Sequence, residues 1–315
     1  VQIVSDSDLD DREVLDFLAE QESQDIRPIS DFTDRLLERI ENPAEVTGIT
    51  TPWPKMHFDF RLRPAEVSVW FGRSGHFKSA LVNQIALYAT NQVRVGIQSF
   101  EMDIETTLER MVRQAAGTAN PPKSYVRGLT QKLSERMWLY DRLDMVPPHK
   151  VIACVHHMAK LGIGLVVIDP LILIKGVTRD AEKEAAFMAR LIALAKAHKI
   201  HIALVHHPRK EKDNKREGTM PTRDDMRGAS DIGDMASTIV ILHHNKRKAE
   251  ALRKQAKGLP LDDKDLEAIG FPDHYMRVDK QRNGEFEGTY SLAMNRQAFQ
   301  FTESETHSLH IEVPA

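Results

Sequence analysis

Cysteine is nearly absent from these 315 residues, with Cys154 standing alone. A single thiol excludes a disulfide framework and any multi-cysteine zinc site, and it suits a reducing, cytoplasm-like compartment. Long apolar runs are also missing. The longest, from Gly162 to Ile174, is broken by Asp169 and Pro170 and is too short to span a bilayer. No signal-peptide pattern precedes it, so no membrane partner is expected. Charge of one sign is lacking as well. Lys and Arg total 43 against 46 Asp and Glu, a net of −3, so any polyanion must be gripped by local clusters rather than by a basic coat. No internal repeat or low-complexity tract is present. The chain opens with Val1 rather than methionine, as expected of a piece of something longer.

What is present is enough apolar material, 41% of the chain, for one large α/β core with a small appendage. The expected division is a helical arm and linker over 1–48 and a main domain over 49–315. Residues Asp6 to Gln24 predict a peripheral acidic helix. Ser30 to Ile40 predict a second helix, with Phe32, Leu36, Leu37 and Ile40 on one stripe. Past the Thr/Pro-rich stretch Thr47 to Pro54, strands and helices alternate. Strands are expected at Glu66 to Phe71, Val93 to Phe100, Gly164 to Asp169, His201 to His206, Thr238 to Leu242, Tyr275 to Lys280 and Thr289 to Met294. Helices at Ser79 to Thr90, Ile104 to Ala116 and Glu182 to His198 separate the earlier strands, which implies a mostly parallel sheet with covered faces. The close spacing of the last strands implies an antiparallel finish. Lys246 to Gly270 is charged and helix-prone, as expected of a solvated insertion.

The run Gly72-Arg73-Ser74-Gly75-His76-Phe77-Lys78-Ser79 follows an apolar strand and opens a helix. It fits the phosphate-loop pattern except that Phe77 stands where glycine usually precedes the lysine. In such a loop, backbone N–H groups and the helix N-terminus cradle phosphate oxygens, Lys78 neutralises charge and Ser79 ligates Mg²⁺. A phenylalanine there is expected to keep a negative φ and turn its ring away from the nucleotide. Otherwise the loop is a decayed one that binds without hydrolysing. Glu101 follows the strand ending Ser99-Phe100 and could orient water. Asp169 ends the apolar run Gly164 to Ile168, in the manner of a Mg²⁺-organising carboxylate.

These pieces occur together with Thr51-Pro52-Trp53-Pro54, Ser99-Phe100-Glu101-Met102, Ile168-Asp169-Pro170-Leu171, His206-His207-Pro208-Arg209-Lys210, Met226-Arg227-Gly228-Ala229-Ser230 and Lys280-Gln281-Arg282-Asn283-Gly284. In that order, from about Ile49 to Phe301, the chain resembles the C-terminal helicase domain of the DnaB family, within its Twinkle-type and phage primase-helicase branch. The resemblance implies a RecA-like P-loop NTPase fold, ATP and Mg²⁺ as cofactors, and a homohexameric ring that moves 5′ to 3′ on single-stranded DNA and opens duplexes. Primase or polymerase would be further partners. By the same resemblance Glu101 is the catalytic carboxylate, His206 or His207 the γ-phosphate sensor, and Lys280 and Arg282 a finger pair reaching into the adjacent protomer's site. Met294 either packs on adenine or belongs to the core. The stripe of Ser30 to Ile40 resembles the family's linker helix, although packing on its own domain would give the same pattern. No zinc-ribbon cysteines or primase carboxylate set precede it.

Two loops are expected to face DNA. The first carries Lys175 and Arg179. The second, Arg209 to Arg227, carries Arg209, Lys210, Lys212, Lys215, Arg216, Arg223 and Arg227, with five acids interleaved. Gly228 and Ser230 complete its exit, where Arg227 is the strongest candidate for strand contact. Basic side chains without base-reading groups suit a sequence-tolerant tracker. Two other functions fit less of the sequence: a recombinase-like filament ATPase, and a non-hydrolysing nucleotide-binding scaffold.

Overall fold

The computed structural model describes residues 27–41, 48–178, 180–207, 220–222, 225, 230–304 and 311. The expected helix at Asp6 to Gln24 lies outside the described residues. The chain divides into two compact units, residues 1–46 and 47–315. In the smaller unit a 3₁₀ turn, Ile29–Phe32, leads into α1 (Thr33–Glu41). Phe32, Leu36, Leu37 and Ile40 recur at helical spacing and are all exposed.

In chain order the larger unit contains β1 (Val67–Phe71), α2 (Lys78–Ala89), β2 (Arg94–Ser99), α3 (Ile104–Ala116), α4 (Lys123–Leu133), β3 (Met137–Asp141), α5 (Pro148–Lys160), β4 (Ile163–Asp169), α6 (Ala181–His198), β5 (His201–His206), α7 (Ser230–Met235), β6 (Thr238–His244), α8 (Lys246–Ala256), α9 (Asp263–Ile269), β7 (His274–Gln281), β8 (Gly288–Asn295) and β9 (Gln300–Thr302). The strands form one nine-stranded sheet in the order β3-β2-β4-β5-β1-β6-β7-β8-β9. The first six are parallel and the last three antiparallel, as the strand spacing implied.

Side-chain alternation along the strands builds a core on each face. Val67, Val69 and Phe71 of β1 join Val166 and Ile168 of β4, Ile202 and Leu204 of β5, and Val151, Val155, Phe187 and Leu191 of α5 and α6. Trp70, Val167, Val205 and Val240 point the other way, onto Leu81, Ile85, Met111 and Val112 of α2 and α3. The helices α3, α8 and α9 start where a short polar side chain caps them. Asp103 accepts from Thr106 N at 2.7 Å, Asn245 from Lys248 N at 3.0 Å, and Asp262 forms a capping box with Asp265. Each such cap contributes about 1 kcal/mol.

The Thr51–Pro54 stretch has a structural task. Trp53 is fully buried, and its indole N–H donates to the Phe301 carbonyl at 3.2 Å. Gln84 then brackets Phe301 on both sides, donating to its oxygen at 2.8 Å and accepting from its nitrogen at 2.7 Å. The last strand is thereby fastened to the helix that carries the phosphate loop's lysine.

Candidate nucleotide site

Parallel strands gather their C-terminal ends along one edge of a sheet, and ligands of open α/β folds bind there. At this edge β1 delivers Gly72, β2 delivers Glu101, β4 delivers Asp169, and β5 delivers His206 and His207. Gly72 must lack a side chain, because a Cβ would come within 2.4 Å of the Leu242 carbonyl on β6. Gly75 uses the left-handed region at φ 76°. The loop crest, Ser74 and Gly75, is exposed, whereas His76 is buried with Nδ1 3.3 Å from both Leu242 O and His244 N. The end of β6 thus supports the loop from beneath.

Phe77 departs from expectation. Its φ is +62° with ψ 28°, the left-handed geometry that glycine would supply, rather than a negative φ. The helix that starts at Lys78 needs this backbone turn, so the residue adopts it at a cost on the order of 1–2 kcal/mol. Its ring lies 5.4 Å from that of His244 and 5.6 Å from that of His274.

Lys78 is buried. Its Nζ donates to Gly72 O at 2.6 Å and Arg73 O at 3.0 Å, and it meets His207 Nδ1 at 3.1 Å. Burial pulls its pKa down to about 8, against the opposing pull of Asp169 and Glu101. Asp169 is buried too, and burial raises its pKa to about 6, with Glu101 adding to the rise and a Ser79 hydrogen bond and Lys78 opposing it. Glu101 is exposed. Of the two histidines, His207 touches the lysine, and burial takes its pKa down to about 4. His206 is buried against Phe71 with ring centroids 5.8 Å apart. The pair therefore separates into one ring at the lysine and one in the core.

A hard cation fits this edge. Asp169 Oδ1 is buried without a hydrogen-bond partner among the described residues, and Ser79 sits on the same carboxyl. No cluster of three or more His, Cys, Asp or Glu able to hold a metal exists among the described residues. One carboxylate and one hydroxyl are a donor set of the kind Mg²⁺ takes, since it completes its shell with phosphate and water.

Lys280 and Arg282 lie elsewhere. Register pairs Gln281 with Thr238 and Lys280 with Ile239, at the beginning of β6, while the phosphate loop sits beyond the end of β1, level with Ile241. The two basic residues are therefore at the opposite edge of the sheet from their own chain's Lys78. Lys280 Nζ donates to Gly233 O at 3.0 Å and Asp234 O at 2.6 Å, and Arg282 donates to Asp234 O at 3.2 Å. Asn283 donates to the buried carboxylate of Glu66 at 2.7 Å. The sequence names both residues, one opening a strand and one in the Lys280–Gly284 motif, but not their pairing, since only the β1–β6–β7 register brings them together.

Met294 is half-buried against the core, on the strand end that shares the phosphate loop's edge. Lys175 is exposed beside a cavity of about 390 Å³ floored by Ile152, Val177 and Phe187 and rimmed by His149, Lys183 and Arg190. Arg179, Arg209, Lys210, Lys212, Lys215, Arg216, Arg223, Arg227 and Gly228 lie outside the described residues. Ser230 is the first residue of α7. The imidazoles of His243, His244 and His274 also escaped sequence reading. The doubled histidine closing β6 was the available signal.

The sheet order, the loop between β1 and α2 and the acids at the ends of β2 and β4 define a class, the RecA-like ATPase domain. Two solved structures share the fold. The first, an ATPase domain, has a TM-score of 0.70 at 16% identity, covering 89% of this chain and 100% of that one. The second, a DnaB-like replicative helicase solved in a study of its interactions with primase, has a TM-score of 0.65 at 16% identity, covering 92% of this chain and 71% of that one. The DnaB-like helicase C terminal domain family matches residues 61–303, and the chain belongs to that family. A comparison with curated proteins gave no match. No helix among the described residues is long and apolar enough to cross a membrane.

Proposed function

We propose that the chain is the motor domain of an ATP-driven replicative DNA helicase, working as a homohexameric ring that moves 5′ to 3′ along single-stranded DNA. One observation carries this. Lys78, Ser79, Asp169, Glu101 and His207 meet at one edge of the sheet, while Lys280 and Arg282 stand at the other, away from their own chain's Lys78, which supports their assignment as a pair that reaches an adjacent protomer's nucleotide. Membership of a helicase family supports the same reading.

In it, the amides from Gly72 to Ser79 cradle the triphosphate and Lys78 exchanges its loop carbonyls for phosphate oxygens. Ser79 and Asp169 would hold Mg²⁺, which when bound neutralises charge on the β- and γ-phosphates. Glu101, exposed and close enough to act on Lys78 and Asp169 electrostatically, positions the attacking water. His207, in contact with Lys78, is the better-placed γ-phosphate sensor, and the segment that follows it carries the basic residues assigned to DNA, from Arg209 to Arg227. Lys175, in the segment after β4, and Ser230, at the start of α7, are assigned to DNA as well. Primase or polymerase would be partners of the assembled ring.

Steady-state hydrolysis with and without an oligonucleotide tests the proposal. Single-stranded DNA is expected to stimulate the rate several-fold. Lys78→Ala is expected to lose nucleotide binding, and Glu101→Gln to keep binding but lose about 10²–10⁴ in rate. No nucleotide affinity, or hydrolysis indifferent to DNA and to Glu101, would overturn it.

A further inference from the structure

The one departure from the phosphate-loop pattern is surrounded by imidazoles. Phe77 occupies a left-handed backbone position, φ +62°, immediately before Lys78. Its ring meets His244 edge-on at 5.4 Å and His274 edge-on at 5.6 Å. His244 and His274 are themselves stacked, 4.5 Å apart and 17° from parallel, and His274 rests on Phe301 at 4.9 Å. His274 is fully buried, and neither of its ring nitrogens has a hydrogen-bond partner among the described residues. A buried imidazole that hydrogen-bonds nothing contributes by packing, and here it forms part of the seat of Phe77.

We propose that His244 and His274 are positioning residues for the phosphate loop, which act by clamping Phe77 in the left-handed backbone that glycine would otherwise supply, and that the clamp is seated only while both imidazoles are neutral. Side-chain packing replaces conformational freedom. A glycine needs no seat, whereas a phenylalanine at φ +62° stays there because leaving would break its edge-on contacts with two other rings.

The electrostatic surroundings enforce neutrality. Burial lowers the affinity of His274 for a proton, and Arg296 with the neighbouring imidazoles of His244, His76 and His243 lowers it further. Burial also lowers that of His244, aided by Arg296 and Lys246 and opposed by Asp273, whose carbonyl lies 3.2 Å from Nδ1. Lys78 and Lys246 act in the same sense on His76 beneath the loop. An unseated imidazole regains an ordinary pKa of about 6.5. Above that value neither state takes up a proton and the clamp is at full strength. Below it the open state binds protons that the seated state refuses, so the clamp weakens by up to about tenfold per pH unit for each imidazole released.

The inference rests on reading Gly72–Ser79 as a nucleotide site, and the experiment separates the two. The Kd of MgADP is measured at about pH 8 and about pH 6 for the wild type, His274→Leu, His274→Phe, Phe77→Gly and the double variant Phe77→Gly/His274→Leu. Thermal unfolding is followed alongside. With Phe77 in place, His274→Leu should weaken binding roughly fivefold to thirtyfold, the equilibrium equivalent of the left-handed backbone penalty. In the Phe77→Gly background the same change should shift Kd less than about twofold. His274→Phe, flat but unable to titrate, should restore affinity and reduce the loss seen at about pH 6. Equal effects of His274→Leu in both backgrounds, or an acid response unchanged in both His274→Phe and Phe77→Gly, would overturn the clamp. Should His274→Leu fail to fold, the acid responses of His274→Phe and Phe77→Gly decide alone. A wild type that binds no MgADP at all would instead refute the nucleotide site.

Discussion

The two edges of this sheet are built on different principles. At the edge where β1, β2, β4 and β5 end, polar groups are buried and face one another: Lys78 against two carbonyls and an imidazole, Asp169 against Ser79. At the other edge, Lys280 and Arg282 rest on the carbonyls that end α7, and Arg282 is exposed. The first edge is a cradle with its charges partly desolvated before any ligand arrives, which lets fixed dipoles act strongly on a phosphate. The second has cations that donate to backbone carbonyls, beside the buried carboxylate of Glu66. On the proposed function, a single chain carries two halves of a site that its own geometry keeps apart. A ring or filament can join them.

The largest expected effect breaks the second edge and leaves the first intact. Arg282→Ala should lower hydrolysis by about 10³ or more, the scale of a lost arginine finger, while MgADP affinity measured by titration stays within a few-fold of wild type. A comparable loss of affinity would mean that Arg282 serves the cradle of its own chain. The next effect concerns Asp169. Its pKa is raised from 3.8 to about 6 by burial, so the folded state resists ionisation more than the unfolded chain does. The resulting destabilisation is absent below about pH 4, grows as pH rises towards 6, and is constant above. Asp169→Asn should therefore stabilise the fold at about pH 7.5 by on the order of 1–3 kcal/mol, a gain that shrinks as pH falls. Denaturant unfolding at two pH values checks this, and a gain independent of pH would contradict it. The same substitution should abolish the Mg²⁺ dependence of nucleotide binding. The smallest effect sharpens the finger edge. Asn283→Ala removes the partner of a buried carboxylate, Glu66, and should cost about 1–3 kcal/mol of stability. Its loss of hydrolysis should be well below that of Arg282→Ala.

Legibility followed the same division. The seven expected strands all exist, and Ile104–Ala116 forms a helix with the limits expected, because an Asp cap and a following glycine mark both ends. β3 escaped because Met137 to Tyr140 are half-buried at the sheet's margin and show no alternation, and β9 because three residues are too few to carry a period. The helices α4 and α5 were passed over between more strongly patterned stretches. Contacts between distant segments were out of reach. Nothing local in the sequence says that His274 stacks on His244, or that Glu66 meets Asn283 across 217 residues. The backbone of Phe77 was misjudged for a physical reason, since an unfavourable φ was weighed without the side-chain seat that offsets it.

The central claim is that one chain's cradle is completed by its neighbour's Lys280 and Arg282, and mixing tests it most directly. Lys78→Ala and Arg282→Ala chains, each inactive alone, are combined in equal amounts with single-stranded DNA, and hydrolysis is measured. Random assembly pairs an intact cradle with an intact Arg282 at roughly a quarter of the interfaces, so activity should reappear at up to about that fraction of the wild-type rate. A mixture of folded, co-assembled chains that stays as inactive as its components would contradict the account.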